Sequence, residues 1–144
     1  DKQEQIQMCD QNPVFIAGPA NTPDRLRRAI AALGLKLVVN EPHLASNTIS
    51  CVYGPDGCDG NQLVAHASQA YGMSFGLGLG MLNGKTFRIG HLGSLAVPMM
   101  LSGLTTIEMA LVDLGCKLKL GTGFAAAQDH YRNNQIAIAK HLAA

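Results

Sequence analysis

Arg88 is the side chain of this sequence best placed to bind an anion. It lies in a strand-like run at residues 86–89, where alternation puts it on the face opposite to Phe87. It is also the only charged residue between positions 86 and 106. A guanidinium in such a place can hold a carboxylate through two parallel hydrogen bonds. The alternative is a surface arginine that pairs with Glu108 or another acid.

A second pattern could supply a nucleophile. Residues 72–76 read Gly-Met-Ser-Phe-Gly and fit the G-x-S-x-G pattern of serine hydrolases, with Asp113 and His130 following in hydrolase order. That pattern works when the serine sits on a strand-to-helix turn. The sequence here predicts the reverse order, a helix and then a strand. A serine hydrolase that uses Ser74 is therefore the third of the functions considered.

Nucleotide and metal sites are less well supported. The glycines of residues 76–80 are followed by Met81 where a dinucleotide fingerprint has its third glycine, and Lys85 has no helix after it to complete a phosphate-binding loop. A glycine-rich strand approached closely by another backbone or a ligand is the simpler interpretation. No metal site is predicted, because no Cys-x-x-Cys occurs and no histidine has another at i+4, the histidines being His43, His66, His91, His130 and His141.

Composition limits the protein class. The chain has 144 residues, a net charge of +1, 47% hydrophobic residues and 15% charged residues. These values favour a folded domain and exclude a basic nucleic-acid surface. So few charges leave a neutral surface, and we expect part of it to be covered in a homodimer. No secretion signal or membrane span is predicted, and the four unevenly spaced cysteines are expected to be reduced thiols in a cytoplasmic protein.

The expected elements give an α+β fold. Pattern and capping residues predict a small antiparallel or mixed sheet of three to five strands with helices packed on one face. Residues 1–22 are expected to form an N-terminal arm and residues 23–144 a single domain. The predicted helices are 23–33, 61–71, 98–114 with Ser94 as its cap, and 124–142; the predicted strands are 35–39, 47–53, a hairpin across Asn83-Gly84, and a short strand at Leu118 and Leu120.

Residues 84–93, Gly-Lys-Thr-Phe-Arg-Ile-Gly-His-Leu-Gly, resemble a segment of a known family. It is similar to the small C-terminal domain of class V aminotransferases, the fold-type I pyridoxal-phosphate enzymes of the serine, alanine and aspartate–glyoxylate group. The resemblance extends upstream to residues 46–50 and downstream to residues 121–132. It implies the small-domain fold, and it implies that Arg88 binds the α-carboxylate of the substrate.

Residues 12–23 resemble the opening of the same enzymes. In them a Gly-Pro-x-Asn-x-Pro turn lines the substrate entrance, and the resemblance assigns that role to Gly18, Pro19 and Asn21. The family has a whole cofactor domain between this opening and the small domain. Here Ile30 runs directly into the small-domain segment, so the large domain is expected to be missing.

The resemblance implies pyridoxal phosphate as the cofactor of the parent family. That chemistry needs a Schiff-base lysine, an acid opposite the pyridine nitrogen and a helix N-terminus for the phosphate. No lysine stands in the family's cofactor context, the lysines being Lys2, Lys36, Lys85, Lys117, Lys119 and Lys140. We therefore assign no catalytic or cofactor-binding residue and expect no cofactor on this chain alone.

Two functions remain open beside the hydrolase. The parent reaction would move an amino group from serine, aspartate or alanine to glyoxylate, and this chain would keep only the part that binds the small-molecule carboxylate. The alternative is a non-catalytic module that associates with itself, the product of deletion, splicing or engineering. Gel filtration separates these two functions, since a monomer at every concentration argues against self-association.

Overall fold

The computed structural model describes residues 22–91 and 97–142, and all structural statements below refer to them. These residues form an α+β fold in which helices and a small sheet enclose one main core. The helices are α1 (Thr22–Ala32), α2 (Gly60–Tyr71), α3 (Val97–Asp113) and α4 (Thr122–Leu142); the strands are β1 (Ile49–Tyr53), β2 (Gly76–Leu77) and β3 (Thr86–Gly90); two 3-10 turns span Pro42–Leu44 and Gly80–Leu82.

The sheet is antiparallel and has its strands in the order β1-β3-β2. β3 is therefore the central strand, and its residue Arg88 lies opposite Cys51 of β1 and Gly76 of β2. Phe87 and Ile89 alternate with Arg88 and point to the other face. Arg88 and Phe87 are thus each flanked by a neighbouring strand on both sides.

The helices pack on the face that carries Phe87 and Ile89. That face forms the main core with apolar residues of all four helices, which include Leu26, Ile30, Leu63, Leu104, Ile107, Leu111 and Ala127. The opposite face carries a smaller cluster of Val38, Cys51 and Leu82, with Val39 and Tyr53 against it. Arg88 shares this second face with Cys51, because directly paired residues lie on the same side of a sheet.

The predicted fold class is confirmed, with three strands among the described residues. The four predicted helices are also found, each within two residues of its expected start. The apolar stripe predicted on α3 is buried at Met100, Leu104, Ile107 and Leu111. The predicted Ser94 cap lies outside the described residues.

Two predicted strands are wrong. Residues 35–39 pair with β1 only around the bridge from Leu37 to Val52, where the Val38 amide donates to Cys51 and the Tyr53 amide donates to Lys36, so no strand forms. The pairing is not extended further, because the chain enters the 3-10 turn at Pro42, which has no amide hydrogen to donate. Residues 116–120 form an irregular connection between α3 and α4. Leu118 packs on the main core there without any partner strand, so the apolar pattern reports burial and not pairing.

The predicted hairpin is present with a longer connection than Asn83-Gly84 alone implies. β2 and β3 pair antiparallel, and residues 78–85 join them. Asn83 has φ −59° and ψ 134°, and Gly84 has φ 74°, which are the angles of a type II turn. The Lys85 amide closes this turn by donating to the Leu82 carbonyl at 3.1 Å.

Buried Thr86 explains why the strand before this turn is rich in glycine. A Cβ at Gly78 would lie 2.5 Å from the Thr86 hydroxyl oxygen and would collide with the Leu82 carbonyl oxygen. A Cβ at Gly60, the first residue of α2, would lie 2.5 Å from the Thr86 carbonyl oxygen. The close backbone approach expected of this glycine-rich segment is therefore present, and it brings α2 against β3.

Candidate functional site

Arg88 lies half-buried on the sheet face away from the helices. Its Nε donates a hydrogen bond to the Leu77 carbonyl oxygen at 2.8 Å. Gly76 gives the side chain room to cross β2, since a Cβ at that position would lie 3.2 Å from both Cβ and Nε of Arg88. The glycine and the carbonyl together fix the direction of the guanidinium.

The Nε bond leaves the two Nη atoms of Arg88 as the edge that can bind a carboxylate. Within residues 22–91 and 97–142, no acidic side chain forms an ion pair with Arg88. On its β1 side Arg88 pairs with Cys51, a member of the apolar cluster of Val38, Cys51 and Leu82, whereas its bond to Leu77 is open to solvent. The arrangement suits recognition of a small anion, for which a guanidinium edge offers two parallel donors.

Glu108 does not pair with Arg88, contrary to the alternative raised for that arginine. Its side chain is 2% exposed, and it accepts hydrogen bonds from the backbone amides of Gly121 and Phe124. These amides open α4, so the carboxylate of one helix caps the next. The sequence indicates that Glu108 is buried, because it falls on the apolar stripe of α3 between Leu104 and Leu111.

His91 directly follows the strand that carries Arg88, and it is buried. Its Nε2 lies 2.9 Å from the Ser50 hydroxyl oxygen, and its backbone amide donates to the Thr48 carbonyl oxygen. Burial, together with the positive charge of Arg27, lowers the pKa of His91 to about 4. The imidazole is therefore neutral near pH 7 and holds the end of β3 against β1.

The three residues of the hydrolase pattern do not form a triad among these contacts. Ser74 lies between α2 and β2, which is the helix-then-strand order predicted for it. Asp113 accepts hydrogen bonds from the Tyr71 hydroxyl and from His66 Nε2, the latter at 2.8 Å, and these bonds lower its pKa. Its carboxylate thus ties α2 to α3, and nothing in these contacts joins it to His130.

Gly18, Pro19 and Asn21, the predicted residues of the substrate entrance, lie outside the described residues. Arg88 is therefore the one predicted site residue whose surroundings can be stated. Among the described side chains, no group of three metal-ligating residues occurs. None of the helices described is both long and apolar enough to cross a bilayer.

Comparison with known proteins gives a consistent result. The chain is 50% identical over 118 residues to an L-aspartate–glyoxylate aminotransferase of Paracoccus denitrificans, a match that covers 82% of this chain and 30% of that protein. It is 46% identical over 109 residues to a serine–glyoxylate aminotransferase of Hyphomicrobium methylovorum, covering 76% of this chain and 27% of that protein. No family model matches the sequence.

Solved structures agree with these relatives. The pyridoxamine–pyruvate aminotransferase of Mesorhizobium loti superposes with a TM-score of 0.71 at 32% identity, over 80% of this chain and 30% of that one. The ureidoglycine–glyoxylate aminotransferase of Bacillus subtilis gives a TM-score of 0.70 at 28% identity, over 76% and 28%. The fold and sequence are thus those of an aminotransferase small domain. The chain is a homologue of the class V aminotransferases, and it spans about 30% of the length of these relatives.

The described residues do not fit pyridoxal phosphate, the cofactor that this family implies. The four lysines whose side chains are described, Lys36, Lys85, Lys117 and Lys119, are all exposed on the surface. A Schiff base needs a lysine held in a cavity where the imine is protected.

The cofactor's phosphate also lacks a helix N-terminus among the described caps. Asp59 caps α2 by accepting from the amides of Asn61 and Gln62, and Glu108 caps α4. Each of these carboxylates occupies the position where a phosphate would bind and would repel it.

Proposed function

We propose that this chain is the carboxylate-binding part of an aminotransferase that acts on glyoxylate and a small amino acid. The observation that carries the proposal is Arg88, whose Nη edge is directed by the Leu77 carbonyl and has no acidic partner among the described residues. The names of the relatives support the substrate class. Gly18, Pro19 and Asn21 are proposed to line the entrance to the same site.

In this proposal the residues of this chain bind and orient, and they do no bond chemistry. The substrate carboxylate accepts two hydrogen bonds from the Nη atoms of Arg88, while the Nε bond to Leu77 keeps the guanidinium plane fixed. The rest of the substrate then projects away from the sheet. Amino transfer itself would require the Schiff base that pyridoxal phosphate supplies when it is bound to an aminotransferase.

The first test measures the binding of glyoxylate to the purified chain by NMR titration, in which the shifts of the backbone amides report binding. We expect Arg88→Ala to weaken binding by about 10-fold or more, because a charged, paired hydrogen bond is worth at least about 1.5 kcal/mol. The affinity of Arg88→Lys should lie between those of the original chain and Arg88→Ala, since lysine keeps the charge and loses the parallel donors. Light scattering of the same samples assigns the binding to a monomer or to the proposed homodimer.

Two controls make this test specific. Arg28→Ala removes the same charge from an exposed position of α1 and should leave the affinity unchanged. Methyl glyoxylate keeps the aldehyde but lacks the carboxylate, and it should not bind. Equal weakening by Arg28→Ala and Arg88→Ala would contradict the proposal, because it would indicate attraction to net charge only.

We also propose that the chain alone does not catalyse amino transfer. Mixed with pyridoxal phosphate, it should give no stoichiometric internal-aldimine absorbance band, because its described lysines are exposed and its described helix caps are carboxylates. Borohydride reduction followed by peptide mapping should find only scattered, substoichiometric labelling, unchanged by Lys85→Arg. One lysine labelled at unit stoichiometry would show this proposal to be wrong.

A further inference from the structure

Two cysteines from distant parts of the chain meet beside the main core. Cys58 precedes α2 in a turn whose backbone is fixed by its own amide bond to the Pro55 carbonyl at 2.9 Å. Cys116 follows α3, and its amide bonds the Leu111 carbonyl at 2.9 Å. Both are free thiols that pack against the main core, and they lie close enough together for Cys116 to perturb the ionisation of Cys58.

Small molecules in solvent can reach this pair. Both thiols are only half-buried. Cys116 lines a cavity of about 530 Å³, together with residues 55–57 of the turn before Cys58 and with Lys117. The third described thiol, Cys51, is buried and does not line this cavity. Its sulfur lies 3.5 Å from the Thr86 hydroxyl oxygen.

The surroundings of Cys58 favour its protonated form. Burial, the hydrogen bond to Cys116 and the nearby charges of Cys116 and Asp59 raise the pKa of Cys58 to about 12. Cys58 therefore keeps its proton near pH 7. Because peroxide reacts with the thiolate form, Cys58 is not the thiol expected to react first, and its role in the second step rests on its position beside Cys116.

We propose that Cys58 and Cys116 form an oxidation site that closes into a disulfide in the presence of a peroxide. The bond joins the turn before α2 to the connection between α3 and α4. Neither thiol belongs to the proposed carboxylate site, so this proposal is independent of the proposed function.

The chemistry balances with hydrogen peroxide as the oxidant. Cys116 attacks one peroxide oxygen as the thiolate, the O–O bond breaks, and a sulfenic acid forms on Cys116. The hydroxide released takes up the proton that Cys116 lost on ionisation and becomes the first water. The Cys58 sulfur then attacks the Cys116 sulfur, the S–O bond breaks, and the departing oxygen leaves as water with the Cys58 proton. Two thiols are oxidised to one disulfide, and one peroxide is reduced to two waters.

Mass spectrometry of the full chain after mild peroxide treatment tests this site. We expect a loss of about 2 Da, reversed by dithiothreitol, and a single linked peptide pair that contains Cys58 and Cys116. The linkage closes a long loop of the unfolded chain, so the melting temperature should rise by on the order of 10 °C on oxidation. Cys51→Ser should change none of these results.

Two further variants separate the two steps. Cys58→Ser removes the resolving thiol, so a dimedone adduct should accumulate on Cys116. Cys116→Ser should prevent both the adduct and the disulfide. The proposal is overturned if peroxide leaves both thiols free in the folded chain, or if mapping links either cysteine mainly to Cys9 or Cys51.

Discussion

Replacing Glu108 by alanine should destabilise the fold by about 3–5 kcal/mol. The carboxylate is 2% exposed and accepts from the amides of Gly121 and Phe124 at the start of α4. Its removal leaves buried donors without an acceptor, withdraws a negative charge from the positive end of a helix and opens a cavity. Because small domains are stable by only about 5–15 kcal/mol, Glu108→Ala should unfold at much lower urea concentration, measured by circular dichroism.

Two variants show whether the effect belongs to the cap. Glu108→Gln keeps one carbonyl acceptor and should lose less stability than Glu108→Ala. Asp129→Ala removes an acid from the exposed surface of α4 and should change stability by less than about 0.5 kcal/mol. Hydrogen exchange should accelerate first at Gly121 and Phe124. Equal stability of Glu108→Ala and Asp129→Ala would contradict the assignment of Glu108 as the cap.

Glu108 also illustrates what local patterns can and cannot predict. An acid on the apolar stripe of α3 indicates a buried carboxylate, and the run Gly121-Thr122-Gly123 indicates a helix start. Neither pattern indicates that Glu108 reaches the start of α4. The connection between α3 and α4 has no periodic pattern from which its path could be predicted. The same limit explains why Arg88 could be placed on the correct face of β3 while its neighbours Leu77 and Gly76 could not be named.

Helices were predicted better than strands for a physical reason. A helix can carry its own apolar period and its own start and stop residues, as α2 does with Asp59 before it and Gly72 after it. A strand exists only with a partner, and short apolar runs such as residues 35–39 and 116–120 look the same whether they pair or merely pack. The glycine-rich segment indicated a close approach of backbone, because glycine is the residue that leaves room for one. That the neighbour is Thr86 is known only from the structure.

Lowering the pH from 6.5 to about 4 should cost the folded chain about 3 kcal/mol through His91 alone. Burial and Arg27 lower the pKa of His91 from its ordinary value of 6.5 to about 4, so between these values the unfolded chain binds a proton that the folded chain does not. Stability is therefore fully present above pH 6.5 and declines as the pH falls toward 4. Urea unfolding at a series of pH values measures this slope.

The pH slope, rather than stability at one pH, identifies His91 as the cause. His91→Gln should flatten the decline between pH 6.5 and 4 even if it lowers stability at pH 7, because glutamine cannot be protonated there. His43→Gln changes an exposed histidine and should leave the slope intact. His130, whose pKa is lowered by slight burial and by Arg28 and Arg25, should contribute a smaller part. If His91→Gln kept the full slope, the protonation of His91 would not cause the loss of stability, and the bond to Ser50 would not be the contact that acid disrupts.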